Sequence, residues 1–489
     1  MPAVHSCDSV HKVNDMITFA LCLVALVLGY VFYGKYLSGL IGLDSMRATP
    51  AMAMADGVDY VPMSGWKAFM IQFLNIAGLG PIFGAIMGAK FGTSSYLWIV
   101  FGSIFAGGVH DFLSGMMSIR HDGESITSIV GHYLGGTVQK VFTVFSLILM
   151  ILVGAVFASQ PADLLARLTP ETLSANFWIV VIFVYYLIAT MFPVDKIIGR
   201  IYPLFGALLL FMALGIMVSL FIHHPDLPEM WNGFGTKYEK SPIFPMMFVS
   251  IACGAVSGFH ATQSPLMSRC LTNERYGRSV FYGAMITEGV VALVWAAAAT
   301  AYYGENGTDA SAAQIVLELS RTWLGKVGGI MAVLGVVAAP VSTGDTALRS
   351  ARLMVADAIH LEQKSIRRRL VISIPLFVVT LAILIFSMSD KDGFAVIWRY
   401  FSWSNQTLSV FTLWTITVFL AKTRKNYIVS LIPALFMTMV TSCYILIAPE
   451  GLELSPKLSY ILGGVFTLNL LYIFIRWKRH YDGKAKEAK

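Results

Sequence analysis

The sequence predicts an all-α polytopic membrane protein. The chain has 489 residues, of which 56% are hydrophobic and only 13% are charged. A soluble globular protein carries about 25% charged residues. This chain therefore has too little polar surface for water to cover it, and lipid must cover the rest. The recurrence of long apolar runs and the uneven distribution of basic residues between them support the same class.

Thirteen apolar runs are long enough to cross a bilayer, which takes about 20 mostly apolar residues. We predict spans at 16–41, 66–89, 95–118, 138–159, 175–192, 201–223, 243–261, 280–303, 325–345, 370–388, 394–420, 427–448 and 457–476. The first run is longer than the apolar core of a signal peptide, which spans ~7–15 residues, so we expect a retained anchor.

The basic residues favour one orientation. Loops that follow odd-numbered spans, together with the C-terminal tail, hold about 25 of the 35 lysines and arginines, and the other loops hold about 9. By the positive-inside rule we predict an inner-membrane protein with its N-terminus outside and its C-terminus in the cytoplasm. The net charge of +7 is then a topology signal and does not indicate nucleic-acid binding. The charged tail from Asp482 onward is expected to be disordered.

The sequence offers little to suggest enzymatic chemistry. Its five cysteines form no CxxC pair, so we predict neither a disulfide framework nor a metal site of that kind, and interpret them as apolar fillers. No HExxH or GxSxG motif occurs, and the histidines are scattered. We expect no enzyme activity and no cofactor, apart from a possible bound Na⁺.

Two spans carry helix-breaking residues. Span 2 contains Gly78, Gly80 and Pro81, and span 7 contains Gly258 and Pro265. Glycine lowers helix propensity and proline removes a backbone donor. Ordinary membrane packing explains a single such span equally well, since small residues let helices approach closely.

The spacing of the two spans favours function. They are five helices apart, so the units that they begin have opposite orientations, as in an inverted repeat. We predict repeats at 66–223 and 243–420, preceded by a helix and loop at 1–65. Two helices at 427–477 and a basic tail at 478–489 follow.

Interrupted helices expose carbonyls and helix ends in mid-membrane, where transporters bind their solutes. The predicted substrate-binding residues are Asn75, Gly78, Gly80, Ser257, Gly258, His260 and Gln263. The half-helix after Gly80 would point its positive end at a substrate carboxylate.

Ionisable residues inside spans are costly and are functional candidates. Asp111 is a candidate for proton or cation coupling, His260 for a ligand or proton carrier, and Glu288 for proton transfer. Snorkelling, hydrogen bonding or helix packing are the structural alternatives. Arg399 could hold an anionic substrate or anchor span 11 at the outer interface.

Ser342 and Thr343 place two hydroxyls beside each other near Pro340. Hard cations prefer oxygen ligands, so this pair is a candidate Na⁺ site. Alternatively, both hydroxyls bond back to their own helix.

At these positions the chain resembles the carbon starvation protein A family. The similarity covers about residues 16–420. It rests on the segments Asp56–Pro62, Ile76–Pro81, Val109–Phe112, Arg120–Gly123 and Gly254–His260.

The resemblance implies import of peptides or pyruvate, coupled to a cation or to protons. It also implies a leucine-transporter-type fold of two inverted five-helix units, with substrate at the two breaks. The sodium site of that fold would correspond to backbone near Ala77 with the hydroxyls of Ser342 and Thr343.

The sequence thus predicts a secondary active transporter whose partners are a small organic solute and the lipid bilayer. A membrane-embedded sensor or receptor, or a channel, is the alternative. Substrate identity, coupling ion and oligomeric state stay open.

Overall fold

The structure is a computed structural model that describes residues 16–57, 59–191, 194–234, 241–359, 361, 365–389 and 393–487. Within these ranges the regular structure is helical and contains no strand; a single bridge pairs Met63 with Leu271. Helix is the expected result for apolar runs in lipid, because each helix satisfies its own backbone hydrogen bonds.

Each predicted span corresponds to helix. The helices are α1 Ile17–Ile41, α2 in two halves Gly65–Ile76 (α2a) and Gly80–Phe91 (α2b), α3 Thr93–Arg120, α4 Gly136–Leu168, α5 Ala175–Met191, α6 Val194–His223, α7 in two halves Ile243–Ser250 (α7a) and Gly258–Ser268 (α7b), α8 Arg278–Asn306, α9 Ala312–Ala358, α10 Ile366–Ser389, α11 Gly393–Lys422, α12 Ile428–Ile447 and α13 Pro456–Glu487. Short helices Pro50–Ala53 and Ile126–Leu134 lie between them.

Length and hydropathy test which helices can cross a membrane. In the described ranges nine helices are long and apolar enough, and the bent α2 pair makes a tenth candidate. The α5 helix is shorter than these candidates, and its predicted span, 175–192, is short as well. The chain is therefore a multi-pass membrane protein, and the exact number of thirteen spans stays a prediction.

The predicted interruptions are present in both spans. The halves of α2 meet at an angle of 55° across Ala77–Leu79. Residues 251–257 separate α7a from α7b. The break in α2 lies beside Gly78, Gly80 and Pro81, as predicted. The break in α7 ends at Gly258, whereas Pro265 lies inside α7b and does not interrupt it.

The helices form two packing groups. One group consists of α2, α3, α7 and α8, and the other of α4, α5, α9 and α10, with α4 lying along α9. Helix α11 contacts both groups through α4 and α7b. The partition into repeats at 66–223 and 243–420 stays a prediction, although each proposed repeat begins with a broken helix.

Burial separates central from peripheral helices. The apolar windows of α3, α8 and α9 are 83%, 89% and 82% buried, whereas that of α13 is 17% buried. Ionisable side chains on α3 and α8 are therefore surrounded by protein. The four cysteines in the described ranges are free and buried, as expected of apolar fillers.

Several helices are longer than predicted, among them α4, α6, α9 and α13. Helix α9 bends at Gly325, whose φ of 68° favours glycine, and it extends on both sides of the predicted 325–345. The expected disorder from Asp482 is wrong as far as Glu487, because α13 continues to that residue. An ion pair of Lys478 with Asp482, one turn apart, supports the helix there.

Candidate functional site

The break in α2 lies against α9. The Thr343 hydroxyl donates to the Leu74 carbonyl at 3.1 Å as well as to the Ala339 carbonyl of its own helix at 2.9 Å. A Cβ on Gly78 would lie 2.4 Å from the Phe157 ring and 3.2 Å from the Thr343 hydroxyl. The backbone of α2 thus approaches α4 and α9 at a distance that only glycine permits.

The break in α7 is held by Asn405 of α11. The Asn405 side-chain oxygen accepts hydrogen bonds from the Ser257 hydroxyl at 3.0 Å and from the Phe259 backbone N–H at 2.8 Å. It therefore caps the N-terminus of α7b, where backbone donors lack helical partners. The Asn405 amide nitrogen lies 3.3 Å from the Cys253 sulfur, so one side chain contacts both ends of the break.

Further side chains bind the carbonyls that the break exposes. Gln406 donates to the Val256 carbonyl at 3.0 Å, Ser103 to that of Gly254 at 3.0 Å, and Trp98 to that of Ile251 at 3.3 Å. Buried backbone carbonyls need such partners. The unwound segment is consequently fixed from α3 on one side and α11 on the other.

Helix α3 passes the break at a π-helical segment, Gly102–Gly107. A Cβ on Gly107 would lie 2.3 Å from the Ala255 carbonyl oxygen. Single π-helical turns are frequent at functional sites because they redirect the following side chains. Asp111 follows one turn later and faces α7b.

The two breaks touch each other. A Cβ on Gly80 would lie only 2.1 Å from the Cys253 Cβ, and one on Gly254 would lie 3.6 Å from the Pro81 Cα. The unwound segments, which are far apart in sequence, therefore form one site. A candidate site built from both spans requires such a contact, and its assignment to substrate stays a prediction.

Four buried ionisable side chains converge beside the α7 break. The Asp111 carboxylate lies 2.7 Å from His110 Nδ1 and 2.8 Å from His260 Nδ1. His260 Nε2 lies 3.5 Å from the Glu288 carboxylate. All four side chains have no solvent exposure. The chain Asp111–His260–Glu288 thus joins α3, α7b and α8 through one imidazole.

This cluster suits proton binding. Carboxylates and imidazoles are the side chains that most often accept and release protons inside membrane proteins, and here two of each lie together. Uncompensated charge inside the membrane is costly, so occupancy by protons is tied to the other charges in the site.

Several buried polar atoms have no hydrogen-bond partner in the described part of the chain. They include both amide atoms of Asn75 and of Gln72 in α2a, Nε2 of His110, and the carboxylate oxygens of Glu288. Buried polar groups normally have partners, and exceptions commonly mark binding or catalytic positions. The predicted assignment of Asn75 to the substrate site fits this pattern.

The candidate cation residues lie at the α2 break. Ser342 donates to the Ala339 carbonyl at 2.7 Å, which is the structural alternative, whereas Thr343 also reaches α2. Ala77, the first residue beyond α2a, is fully buried. Among the described residues no group of three or more His, Cys, Asp or Glu side chains is arranged to hold a metal ion.

Not every predicted residue faces the breaks. Gly258 is packed against α11, since a Cβ there would lie 2.4 Å from the Leu408 Cβ. Gln263 lies further along α7b and donates to Thr262 at 2.9 Å. Arg399 pairs with Glu450 at 3.1 Å, which favours the anchoring alternative over substrate binding.

Sequence reasoning did not assign roles to Asn405 and Gln406. A polar run within the apolar α11, Ser402 to Gln406, was the available signal. It does not reveal that these side chains cap a different helix.

The residues of the candidate site are enclosed by protein in this structure. Asn75, Ser257 and His260 have no exposed surface, and neither do Asp111 and Glu288. A solute can reach these residues only after helices move apart.

Comparison with known proteins identifies similar sequences. The family model described as carbon starvation protein CstA matches residues 14–173, 164–322 and 309–443. An uncharacterised membrane protein of Haemophilus influenzae is 42% identical over 339 residues, which cover 59% of this chain and 91% of that protein.

Two further relatives have names that state a transport activity. A peptide transporter CstA of Campylobacter jejuni is 29% identical, over 57% of this chain and 49% of the transporter. A pyruvate/proton symporter BtsT of Escherichia coli is 27% identical, over 56% of this chain and 47% of the symporter. The chain spans about half the length of these two relatives.

Solved structures share the fold. The manganese transporter of Eremococcus coleocola aligns with a TM-score of 0.56 at 13% identity, covering 87% of this chain and 98% of that one. The nucleobase-cation-symport-1 family transporter Mhp1 aligns with a TM-score of 0.56 at 12% identity, covering 85% and 93%. These likenesses confirm the predicted leucine-transporter-type fold and, at such identities, show the fold alone.

Proposed function

The chain belongs to the carbon starvation protein CstA family of multi-pass membrane transporters, and we propose that it is a secondary active importer of a small carboxylate-bearing solute. The solute class is pyruvate, a peptide or an amino acid. Binding would take place at the two breaks, and alternating access would carry the solute across. The names of the peptide and pyruvate transporters among its relatives support this class.

One observation carries the proposal. The break in α7 and the buried ionisable cluster share a helix, because His260 is the third residue of α7b and lies between Asp111 and Glu288. Solute bound at the break would therefore lie within a few residues of groups that bind protons. At this distance the charge of the solute and a proton on the cluster would interact directly.

We propose that transport is coupled to protons. An anionic carboxylate that enters a closed, fully buried site brings a charge that the site must compensate. A proton taken up by the Asp111–His260–Glu288 chain supplies that compensation. Because these three residues lie on α3, α7b and α8, a change in protonation alters the contacts within a single packing group.

Alternating access would then be a rigid-body rocking of the group α2, α3, α7 and α8 against the group α4, α5, α9 and α10. The half-helix α2b begins without a side-chain cap, so its positive end is available for a carboxylate. We propose an N-terminus outside and a C-terminus in the cytoplasm, from the positive-inside pattern.

Sodium coupling is a second candidate, favoured by one contact. The Thr343 hydroxyl lies 3.1 Å from the Leu74 carbonyl oxygen at the end of α2a. A hydroxyl beside carbonyls of a broken helix is a hard-oxygen environment suited to Na⁺. Ala77 and Ser342 are the other proposed members of this site.

A thermal-shift screen tests the proposed function. Purified protein is heated with pyruvate, single amino acids or dipeptides at pH 6 and pH 8, with and without Na⁺. A ligand that binds the folded state at about 100 times its Kd stabilises it by about 2.7 kcal/mol. We expect one solute class to raise the melting temperature, more at the lower pH.

The same screen distinguishes the alternatives. A shift that depends on Na⁺ and not on pH would favour the Thr343 site. Stabilisation by none of the carboxylate solutes would contradict the proposal. Stabilisation without exchange of labelled solute in vesicles would favour a sensor or receptor.

A further inference from the structure

An apolar crevice of about 470 Å³ lies away from the two breaks, between α11, α12 and α13. Tyr133 and Val138 close one end of it, and Thr407 and Phe466 line the other. The lining is almost entirely apolar. None of the residues assigned to transport above lines this crevice.

The crevice opens toward lipid. Phe466 and Ile473 on its α13 wall are 52% and 54% exposed. Side chains that line an unfilled apolar space lose their dispersion contacts, and water gains little in a space without polar partners. At membrane depth the natural filling is hydrocarbon.

One end of the crevice is basic. The Lys422 ammonium lies 5.1 Å from the centroid of the Tyr133 ring, one turn beyond the lining residue Val418. Lys140 lies two positions after the lining residue Val138, and Arg476 lies directly before the lining residue Trp477. Both basic residues are exposed.

In the part of the chain that the structure describes, the cations at this end have no ion-pair partners. In the described ranges no carboxylate lies within ion-pair distance of Lys422. The nearby carboxylates are already engaged, since Glu124 pairs with His132 at 2.8 Å and Asp482 pairs with Lys478. An anion is therefore the complementary group.

We propose that this crevice is a binding site for an anionic phospholipid of the surrounding membrane. One acyl chain lies along α11 and α13, and the phosphate is held by Lys422. Basic pockets between transmembrane helices bind lipid headgroups in this way. The site is independent of the transported solute.

Native mass spectrometry tests the site on the intact chain. Delipidated protein is incubated with phosphatidylglycerol or phosphatidylcholine of identical acyl chains, and retained lipid is counted. We expect at least fivefold more phosphatidylglycerol than phosphatidylcholine. Lys422→Gln removes this preference, and Lys35→Gln, at an exposed lysine on α1, leaves it unchanged.

A crevice-filling variant keeps the test independent of the headgroup. Val410→Trp places an indole in the crevice, and we expect it to lower retention of both lipids while the variant stays folded and monodisperse by size-exclusion chromatography. Equal retention of the two lipids by the unaltered protein would overturn the proposal. So would unchanged phosphatidylglycerol retention in Lys422→Gln or in Val410→Trp, or a dimer that Val410→Trp dissociates, since a second copy would then fill the crevice.

Discussion

Asp111 is the residue that connects the buried ionisable cluster. Both His110 and His260 place Nδ1 within 2.8 Å of its carboxylate, and no solvent reaches any of the three. An ionised residue at mid-membrane costs roughly 2.5–3.5 kcal/mol on insertion scales. A cost of this size is retained when the group binds or transfers charge, which is the role proposed for Asp111.

Replacement of Asp111 by asparagine tests this role. The amide keeps the shape of the side chain but cannot be ionised, so the hydrogen bonds to a charged acceptor are lost, at about 1.5–3 kcal/mol each. We expect proton-driven uptake to fall at least about tenfold, since ~1.4 kcal/mol corresponds to a factor of ten. Uptake into proteoliposomes under a pH gradient measures it.

Asp163→Asn is the matched control. Asp163 lies on α4, is 40% exposed and pairs with Arg167 one turn away. Exposed pairs of this kind contribute little. Uptake should therefore be unchanged in this variant, and an equal loss in both variants would remove Asp111 from the coupling mechanism.

Thr343→Ala separates the two coupling ions. Its hydroxyl is the proposed Na⁺ ligand nearest to α2. If protons drive uptake, Na⁺ titration of transport should be flat in both the unaltered protein and the variant. A Na⁺ dependence that weakens in Thr343→Ala would instead support the sodium site. Ser95→Ala, which removes a buried hydroxyl bonded to the Gly92 carbonyl, is the control.

Single candidate residues could be predicted from the sequence, whereas their association could not. Asp111, His260 and Glu288 each stand out as ionisable groups in apolar runs. They lie on three different helices, and only the packing of α3, α7b and α8 brings them together. Structural roles for each residue by itself, such as snorkelling of Asp111 at the helix end, were equally compatible with the sequence alone.

At the scale of helices, the two breaks depend on close backbone approach. Gly80 and Cys253 touch, and Gly78 lies against Phe157. Glycine and proline in the sequence predicted that α2 and α7 are interrupted, because both residues destabilise helix locally. The supports from Asn405 and Gln406 escaped prediction, since a capping partner on a distant helix leaves no local pattern.

Gly80→Ala tests the contact between the breaks. The added Cβ would lie 2.1 Å from the Cys253 Cβ, so backbone must shift, and overpacking of this kind costs about 1–3 kcal/mol. We expect a lower melting temperature and loss of uptake. The double variant Gly80→Ala/Cys253→Gly removes the opposing atoms and should restore part of both.

The same substitution at Gly39 of α1 is the control, because a Cβ there meets nothing within 4 Å. Gly39→Ala should leave uptake unchanged and keep or raise stability. Full activity of Gly80→Ala would show that the breaks do not touch as described.

Asn405→Ala tests the support of α7. The substitution removes the acceptor for the Ser257 hydroxyl and the Phe259 N–H and leaves buried donors unpaired, which costs about 1–3 kcal/mol. We expect weaker solute binding, seen as a higher KM for uptake. Thr415→Val removes a hydroxyl that donates to the Phe411 carbonyl of its own helix, and it should leave KM unchanged. An equal KM in both variants would contradict the proposal that Asn405 holds the α7 break in its binding conformation.

At the scale of the whole molecule, the arrangement of helices accounts for how a closed site can open. Both broken helices and all members of the ionisable cluster belong to the group α2, α3, α7 and α8. Thr343, by contrast, lies on α9 in the other group. Movement between the groups would therefore separate Thr343 from α2 while it keeps the proton-binding chain intact.

The overall architecture was largely predictable because hydropathy, loop charge and the separation of two breaks are properties of the linear sequence. The residues at which the helices end were less predictable. Helix α9 extends beyond its apolar core and α13 continues into charged residues, since helix propensity and ion pairs persist where hydropathy ends.

Uptake of labelled pyruvate, amino acids and dipeptides into proteoliposomes tests the central claim most directly. With an inward pH gradient and no Na⁺, the account predicts that one of these solute classes accumulates above equilibrium, that a protonophore abolishes the accumulation, and that Asp111→Asn lacks it. If no carboxylate solute enters the vesicles under either a pH or a Na⁺ gradient, while the protein is inserted and folded, the chain does not do what we propose.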